Sequence, residues 1–185
     1  DLGSLTLTAS GNTSSAGISL STVSGDVGSI ALVASGHDSD AHMWTYTDIV
    51  GNLGSLTVTA SGSGSSAGDY GSYYYTAEGN VGTVTVTASG KTAYADAYMY
   101  VSGNMSALNV TASGATSTAD AYIYQNDGSM TLGSLTETAS GVNATAYADV
   151  QTGSGVLATA TISATKLGAD ATLNFVGNTF GSIAT

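Results

Sequence analysis

The chain of 185 residues contains no proline and no cysteine. Without proline, nothing in the sequence interrupts a strand ladder. Without cysteine there are no disulfide staples and no thiolate metal sites. Basic residues are almost missing: Lys91 and Lys166 are the only two, there is no arginine, and the formal net charge is -11. Phosphate binding needs basic side chains, so nucleic acid is excluded as a partner, and an anionic membrane surface is disfavoured for the same reason. No apolar run reaches the length of a membrane span, so membrane insertion is not expected. The scarcity of lysine and arginine leaves trypsin-like proteases little to cut, which suits an extracellular or cell-surface location. Large aliphatic residues are sparse, so the expected core is thin and built of small side chains.

What fills the chain is a repeat. Leu-Gly-Ser-Leu-Thr-Leu-Thr-Ala-Ser-Gly at 2–11 returns at 53–62 and 132–141, with looser copies at 27–36, 81–90 and 105–114. A weaker copy begins near Gly155 and a partial one at Phe180. The starts near 2, 27, 53, 81, 105, 132, 155 and 180 are spaced 23–28 residues apart. Such a period marks an array whose units bury their apolar faces on one another, here one domain spanning 1–185.

Within a repeat, Leu5, Leu7 and Ala9 alternate with Thr6, Thr8 and Ser10, a period of two that sends the first set inward and the second outward. A second strand follows, clearest at 95–101, where Ala95, Ala97, Met99 and Val101 face in and Asp96, Tyr98 and Tyr100 face out. Gly51, Gly79, Gly103 and Gly177, each before Asn, are read as return turns using positive φ. Antiparallel hairpins would pair unlike strands. Parallel stacking sets leucine on leucine and threonine on threonine, so the expected fold is all-β, a parallel β-solenoid of about seven coils with two main strands per coil, about 34 Å long.

In these residues the chain resembles the Ala/Gly/Ser/Thr-rich β-strand repeats of large bacterial secreted proteins: adhesins, surface-layer proteins and biofilm-matrix fibres. The resemblance covers nearly the whole chain and implies a structural or adhesive extracellular role. The Gly-Gly-x-Gly-x-Asp calcium repeat of secreted toxins and the Gln/Asn ladder of curli-type fibres are both missing.

Three outward columns are candidate sites. The first is Thr-x-Thr: Thr6 and Thr8, Thr57 and Thr59, Thr85 and Thr87, Thr136 and Thr138, then Thr159 and Thr161, interrupted at Ala31, Val33 and Asn109. Such ranks resemble the water-ordering faces of ice-binding solenoids, and threonine is also a soluble strand former that stacks well on itself. The second is acidic: Asp96, Asp120, Asp149 and Asp170, with Asp40 and Asp69 nearby. Stacked carboxylates either splay into solvent or hold a hard cation, for which calcium is suited; no other cofactor is expected. The third is aromatic: Tyr98, Tyr100, Tyr122 and Tyr124 point outward, and Tyr73, Tyr74 and Tyr75 form a run. These rings offer a lateral seam between rods, a sugar-binding strip, or simple cross-strand stacking.

Catalysis has little support. His37 and His42, with Asp38 and Asp40, are a loose metal set more consistent with a solvated loop, and no acid pair stands apart from the repeat. Asn12, Asn104, Asn109 and Asn143 head Asn-x-Ser/Thr triplets, which a chain this rich in serine and threonine produces by chance. The sequence opens and closes in phase with the repeat, so a processed subunit or a slice of a longer array is expected. Its self-complementary edges suggest head-to-tail stacking of copies into a filament. The competing expectation is a binding module, for ice through the threonines or for surface glycans through the tyrosines.

Overall fold

A computed structural model describes all residues except 44–45, 70–74 and 126–127, where the run Tyr73–Tyr74 lies. The described residues form strands and turns with no helix. Among the described residues the first three coils carry three strands each: β1 (Leu2–Ala9), β2 (Ser15–Ile18) and β3 (Thr22–Val23); β4 (Val27–Ala34), β5 (Asp40–Met43) and β6 (Thr47–Ile49); β7 (Leu53–Ala60), β8 (Ser66–Asp69) and β9 (Tyr75–Ala77). The next four carry two: β10 (Val81–Ala88) and β11 (Tyr94–Val101); β12 (Met105–Ala112) and β13 (Thr118–Gln125); β14 (Thr131–Ala139) and β15 (Thr145–Gln151); β16 (Val156–Ala164) and β17 (Asp170–Val176). β18 (Thr179–Ala184) lies on β16.

Every pairing is parallel, and the coils stack as a β-solenoid of about seven turns. One sheet of eight strands runs β1-β4-β7-β10-β12-β14-β16-β18; the other, of ten, takes the second arm of each coil. The register holds like on like: Leu5, Ile30, Leu56, Val84, Leu108 and Leu135 form one inward column. Ala9, Ala34, Ala60, Ala88, Ala112 and Ala139 form another. Ala41, Ala67, Ala95, Ala119 and Ala146 answer from the opposite sheet, and all of these residues except Leu5 are buried. The core is mixed rather than uniformly small: alanine columns alternate with buried larger side chains such as Leu32, Leu56, Met99, Leu108 and Ile123.

The seventh coil starts two residues later than its sequence suggests. Leu157 lies on Leu132 and Val156 on Thr131, so Thr159 joins the column of Ser134 and only Thr161 continues the column of Thr136. Leu157, not Gly155, thus takes the place held by the apolar residue that opens the other copies: Leu2, Val27, Leu53, Val81, Met105 and Leu132.

Two kinds of corner close each coil. After the first strand, one residue per coil takes a left-handed conformation: Thr13, Asp38, Gly64, Thr92, Thr116, Asn143 and Gly168, with φ between 49° and 70°. In the first six of these the N–H donates to the neighbouring coil, as in Thr92 N to Ala115 O at 2.9 Å and Thr116 N to Val142 O at 2.9 Å. That bond offsets the steric cost of φ > 0 in a β-branched residue. Two residues earlier, Gly36, Gly62, Gly90, Gly114 and Gly141 stack so closely that a Cβ on any of them would run into the carbonyl oxygen of the glycine in the previous coil. The buried hydroxyls of Ser39, Ser65 and Ser117 brace the same turn by donating to Gly36, Gly62 and Gly114 carbonyls at 2.7–2.9 Å.

The Gly-Asn corner differs from its sequence reading. Gly51, Gly79, Gly103 and Gly177 do not adopt positive φ. For Gly51, Gly79 and Gly103 the requirement is close approach: a Cβ on Gly103 would sit 2.5 Å from Gly79 O. The residues that follow build a side-chain ladder. Asp1, Asp26, Asn52, Asn80 and Asn104 each accept, through Oδ1, a backbone N–H from the next coil, at 2.8–3.0 Å. This ladder satisfies N–H groups that the strand ladders leave over at the corner.

Candidate functional site

The outer faces of the two sheets have opposite chemistry. On the eight-stranded sheet, outward residues form three columns of small side chains. Ser4, Ser29, Ser55, Thr83, Ala107, Ser134 and Thr159 make the first; Thr6, Ala31, Thr57, Thr85, Asn109, Thr136 and Thr161 the second; Thr8, Val33, Thr59, Thr87, Thr111, Thr138 and Ser163 the third. All eight candidate threonines of the paired ranks therefore lie on one face. The serine column beside them was missed, although Ser4, Ser55 and Ser134 occupy one place in the repeat. Among the described acidic and basic residues, only Glu137 belongs to a strand of this sheet, and it points inward. The face is an uncharged lattice of hydroxyls and methyls.

The other sheet presents rings and carboxylates. Tyr98 pairs with Tyr122 and Tyr100 with Tyr124 in register, and the four predicted tyrosines form one cluster. Ring centroids lie 5.1 Å apart for Tyr98–Tyr124, 5.9 Å for Tyr98–Tyr122 and 5.6 Å for Tyr100–Tyr124, all within the range of favourable aromatic pairs. Tyr147 extends the cluster from the next coil, 5.7 Å from Tyr122. The Tyr98 and Tyr100 hydroxyls approach to 3.3 Å. Burial among these rings, helped by the carboxylates of Asp120 and Asp96, pushes the Tyr122 hydroxyl up to about 12.

The acidic column is corrected by the register. Asp96 stacks on Asp120, but Asp120 then faces Tyr147, Asp149 faces Tyr122 and Asn174, and Asp170 faces Thr145. The four carboxylates lie in three different columns, because β15 meets β13 two residues out of phase with a simple Asp-to-Asp match. No group of three or more His, Cys, Asp or Glu among the described residues is arranged to hold a metal ion. His37 pairs with Asp38 at 2.8 Å and His42 with Asp40 at 3.7 Å, as two separate contacts.

Two of these acids sit in unusual surroundings. Asp149 is buried although it belongs to the outward parity, and it accepts from Tyr124 Oη at 3.3 Å, Gln151 Nε2 at 3.1 Å and Asn174 Nδ2 at 3.0 Å. Asp120 is pushed up to about 6 by burial, with the Tyr94 hydroxyl holding part of that rise down.

Glu137 was missed. It replaces the aliphatic residue of an inward column, between Val110 and Ile162, and its side chain is fully buried. Neither carboxyl oxygen has a hydrogen-bond partner. Burial raises its pKa to about 7; the Thr172 backbone offsets part of the rise without meeting either oxygen in hydrogen-bonding geometry, and Asp170 and Asp120 add to it. The signal was present in the sequence: Glu137 falls between Thr136 and Thr138, at the parity of Leu7 and Val58.

Comparison with known proteins finds no match to this chain among family models, curated proteins or solved structures.

Proposed function

We propose that this chain is a structural rod, a stalk or matrix-fibre segment of an extracellular protein. The observation that carries the reading is the single unbroken ladder in which all coils share one parallel register, braced at both corners by stacked glycines and the Asp/Asn ladder. Such a stack has stiffness along its axis from the backbone bonds of the two sheets. The near-absence of lysine and arginine supports an extracellular setting. In this reading the outer edge of β18 takes a further coil in the same register, and a second copy of the chain supplies it when the rod grows by self-assembly. Electron microscopy of the concentrated protein tests the assembly: rods well beyond about 34 Å are expected, and a population of monomers alone at high concentration overturns it.

A second reading has its own observation. The uncharged lattice of Thr6, Thr8, Thr57, Thr59, Thr85, Thr87, Thr136 and Thr138 suits a flat, regularly spaced water-ordering surface, and hence ice binding. Thermal hysteresis and faceted crystal growth are expected, and Thr57→Leu with Thr85→Leu lowers both. Unfaceted growth and no hysteresis with the unaltered protein sinks this reading.

A further inference from the structure

At one end of the tyrosine cluster, where β15 turns its corner, a groove of about 320 Å³ opens to solvent. Tyr100 and Tyr124 line it together with the amides of Gln125 and Gln151, the corner residue Thr152 and the aliphatic Val176. Tyr100, Tyr124, Gln151 and Val176 are successive members of one outward column, so the parallel register alone brings them together.

The groove is built rather than incidental. Asp149 lies beside it, 6% exposed, and binds both walls: it accepts from the Tyr124 hydroxyl at 3.3 Å and from Gln151 Nε2 at 3.1 Å. Asn174 holds the same carboxylate from the next coil at 3.0 Å. Tyr98 stacks on Tyr124 with centroids 5.1 Å apart and limits how that ring can turn. Thr152 is buried and closes the corner by accepting Gly155 N–H at 2.8 Å. Ring and amide are thus fixed before any ligand arrives, which lowers the ordering cost of binding.

The lining selects the ligand. Two ring faces and an isopropyl group supply apolar area, while two primary amides and two phenol groups supply both donors and acceptors. Among the described residues no charged side chain lines the groove, and the molecule carries a net charge of -11, which repels polyanions. A ligand with flat C–H faces and many neutral hydroxyls meets these terms, and the volume falls at the small end of ligand pockets, enough for one or two pyranose rings. We infer that the Tyr100–Tyr124–Gln151 groove binds a neutral saccharide, with a ring seated on the tyrosines and its hydroxyls on the Gln125 and Gln151 amides.

A glycan array carrying neutral hexose and N-acetylhexosamine oligosaccharides beside sialylated and sulfated ones tests this. The intact chain is expected to retain neutral glycans and not the anionic ones. Tyr100→Ala and Tyr124→Ala, each checked for an unchanged circular dichroism spectrum, are expected to weaken retention by about tenfold, the scale of losing an aromatic anchor. Thr57→Ala on the opposite face changes nothing. Chemical-shift mapping on the unaltered protein keeps the test independent of the variants: shifts centred on Tyr100, Tyr124 and Gln151 support the site. Retention of anionic glycans only, no retention at all, or shifts centred elsewhere overturns it, whatever the outcome for the rod and its assembly.

Discussion

At the residue scale, Glu137 carries an electrostatic penalty that stability measurements can read. Its carboxyl has an ordinary value of 4.5 and a folded value of about 7, raised chiefly by burial. Below pH 4.5 the group is protonated in the folded and unfolded chain alike, and its contribution to stability is complete. Between pH 4.5 and 7 the unfolded chain releases the proton and the folded one keeps it, so stability falls as pH rises, by about 3 kcal/mol over that window. Thermal melting is therefore expected to occur at higher temperature at pH 4.5 than at pH 8, and Glu137→Leu, which restores the aliphatic residue found at position 7, flattens much of that difference. Asp120 adds a smaller slope of the same sign, since burial lifts it from 3.8 to about 6. If the Glu137→Leu protein shows the same pH profile as the parent, the buried carboxyl is not the source.

A second residue-scale prediction concerns the left-handed corner. Thr92 and Thr116 hold φ of 56° and 53°, a region that costs a β-branched residue roughly 1–2 kcal/mol. Gly64 and Gly168 fill the same corner in other coils without that cost. Thr116→Gly is expected to raise the melting temperature by about 2–4 °C, the conversion of about 1 kcal/mol in a chain of this size. A lower melting temperature would mean that the Thr116 hydroxyl, which donates to Ala115 O at 2.7 Å, matters more than the backbone strain.

At the scale of the element, what was legible follows from parity. Leu5, Leu7 and Ala9 could be assigned inward because a strand alternates with a period of two whatever surrounds it. Corners were harder. The Gly-Asn pairs suggest a positive-φ turn, yet the glycine there is needed because consecutive coils pass within contact of each other, and the left-handed residue sits instead at Thr13, Asp38 or Thr92, where residue type gives little warning. The Asp/Asn ladder was likewise hidden, because its rungs join residues 24–28 positions apart. Close stacking makes its own prediction: Gly114→Ala drives a Cβ into Gly90 O of the previous coil and is expected to destabilise by about 3 kcal/mol, the upper end of overpacking costs. Chemical denaturation measures it, and a loss below about 0.5 kcal/mol, within the noise of a surface change, would show that the corner yields.

The whole molecule separates its charge by face. Among the described residues the outer face of one sheet exposes no charged side chain, and apart from the buried Glu137 their charge lies on the other sheet and the corners. Self-repulsion of that charge opposes the stacked state and is screened by salt. Raising sodium chloride from about 0.02 to 0.5 M shortens the screening length several-fold and is expected to raise the melting temperature at pH 7. An unchanged transition would show that the carboxylates are already far enough apart to ignore one another.

The repeat, the strand parity and the β-solenoid class were all determined by the sequence alone, because each depends on spacing within a coil. Where the coils diverge from the repeat, which side chains become neighbours between them was decided only by the tertiary structure. Asp149 sits beside Tyr122 rather than Asp120, and Leu157 rather than Gly155 opens the seventh coil, because register is set by corner length and by which apolar residue covers the coil below. The fate of Glu137 is of the same kind: its direction follows from alternation, but its raised pKa needs a second sheet and neighbouring coils to take the water away.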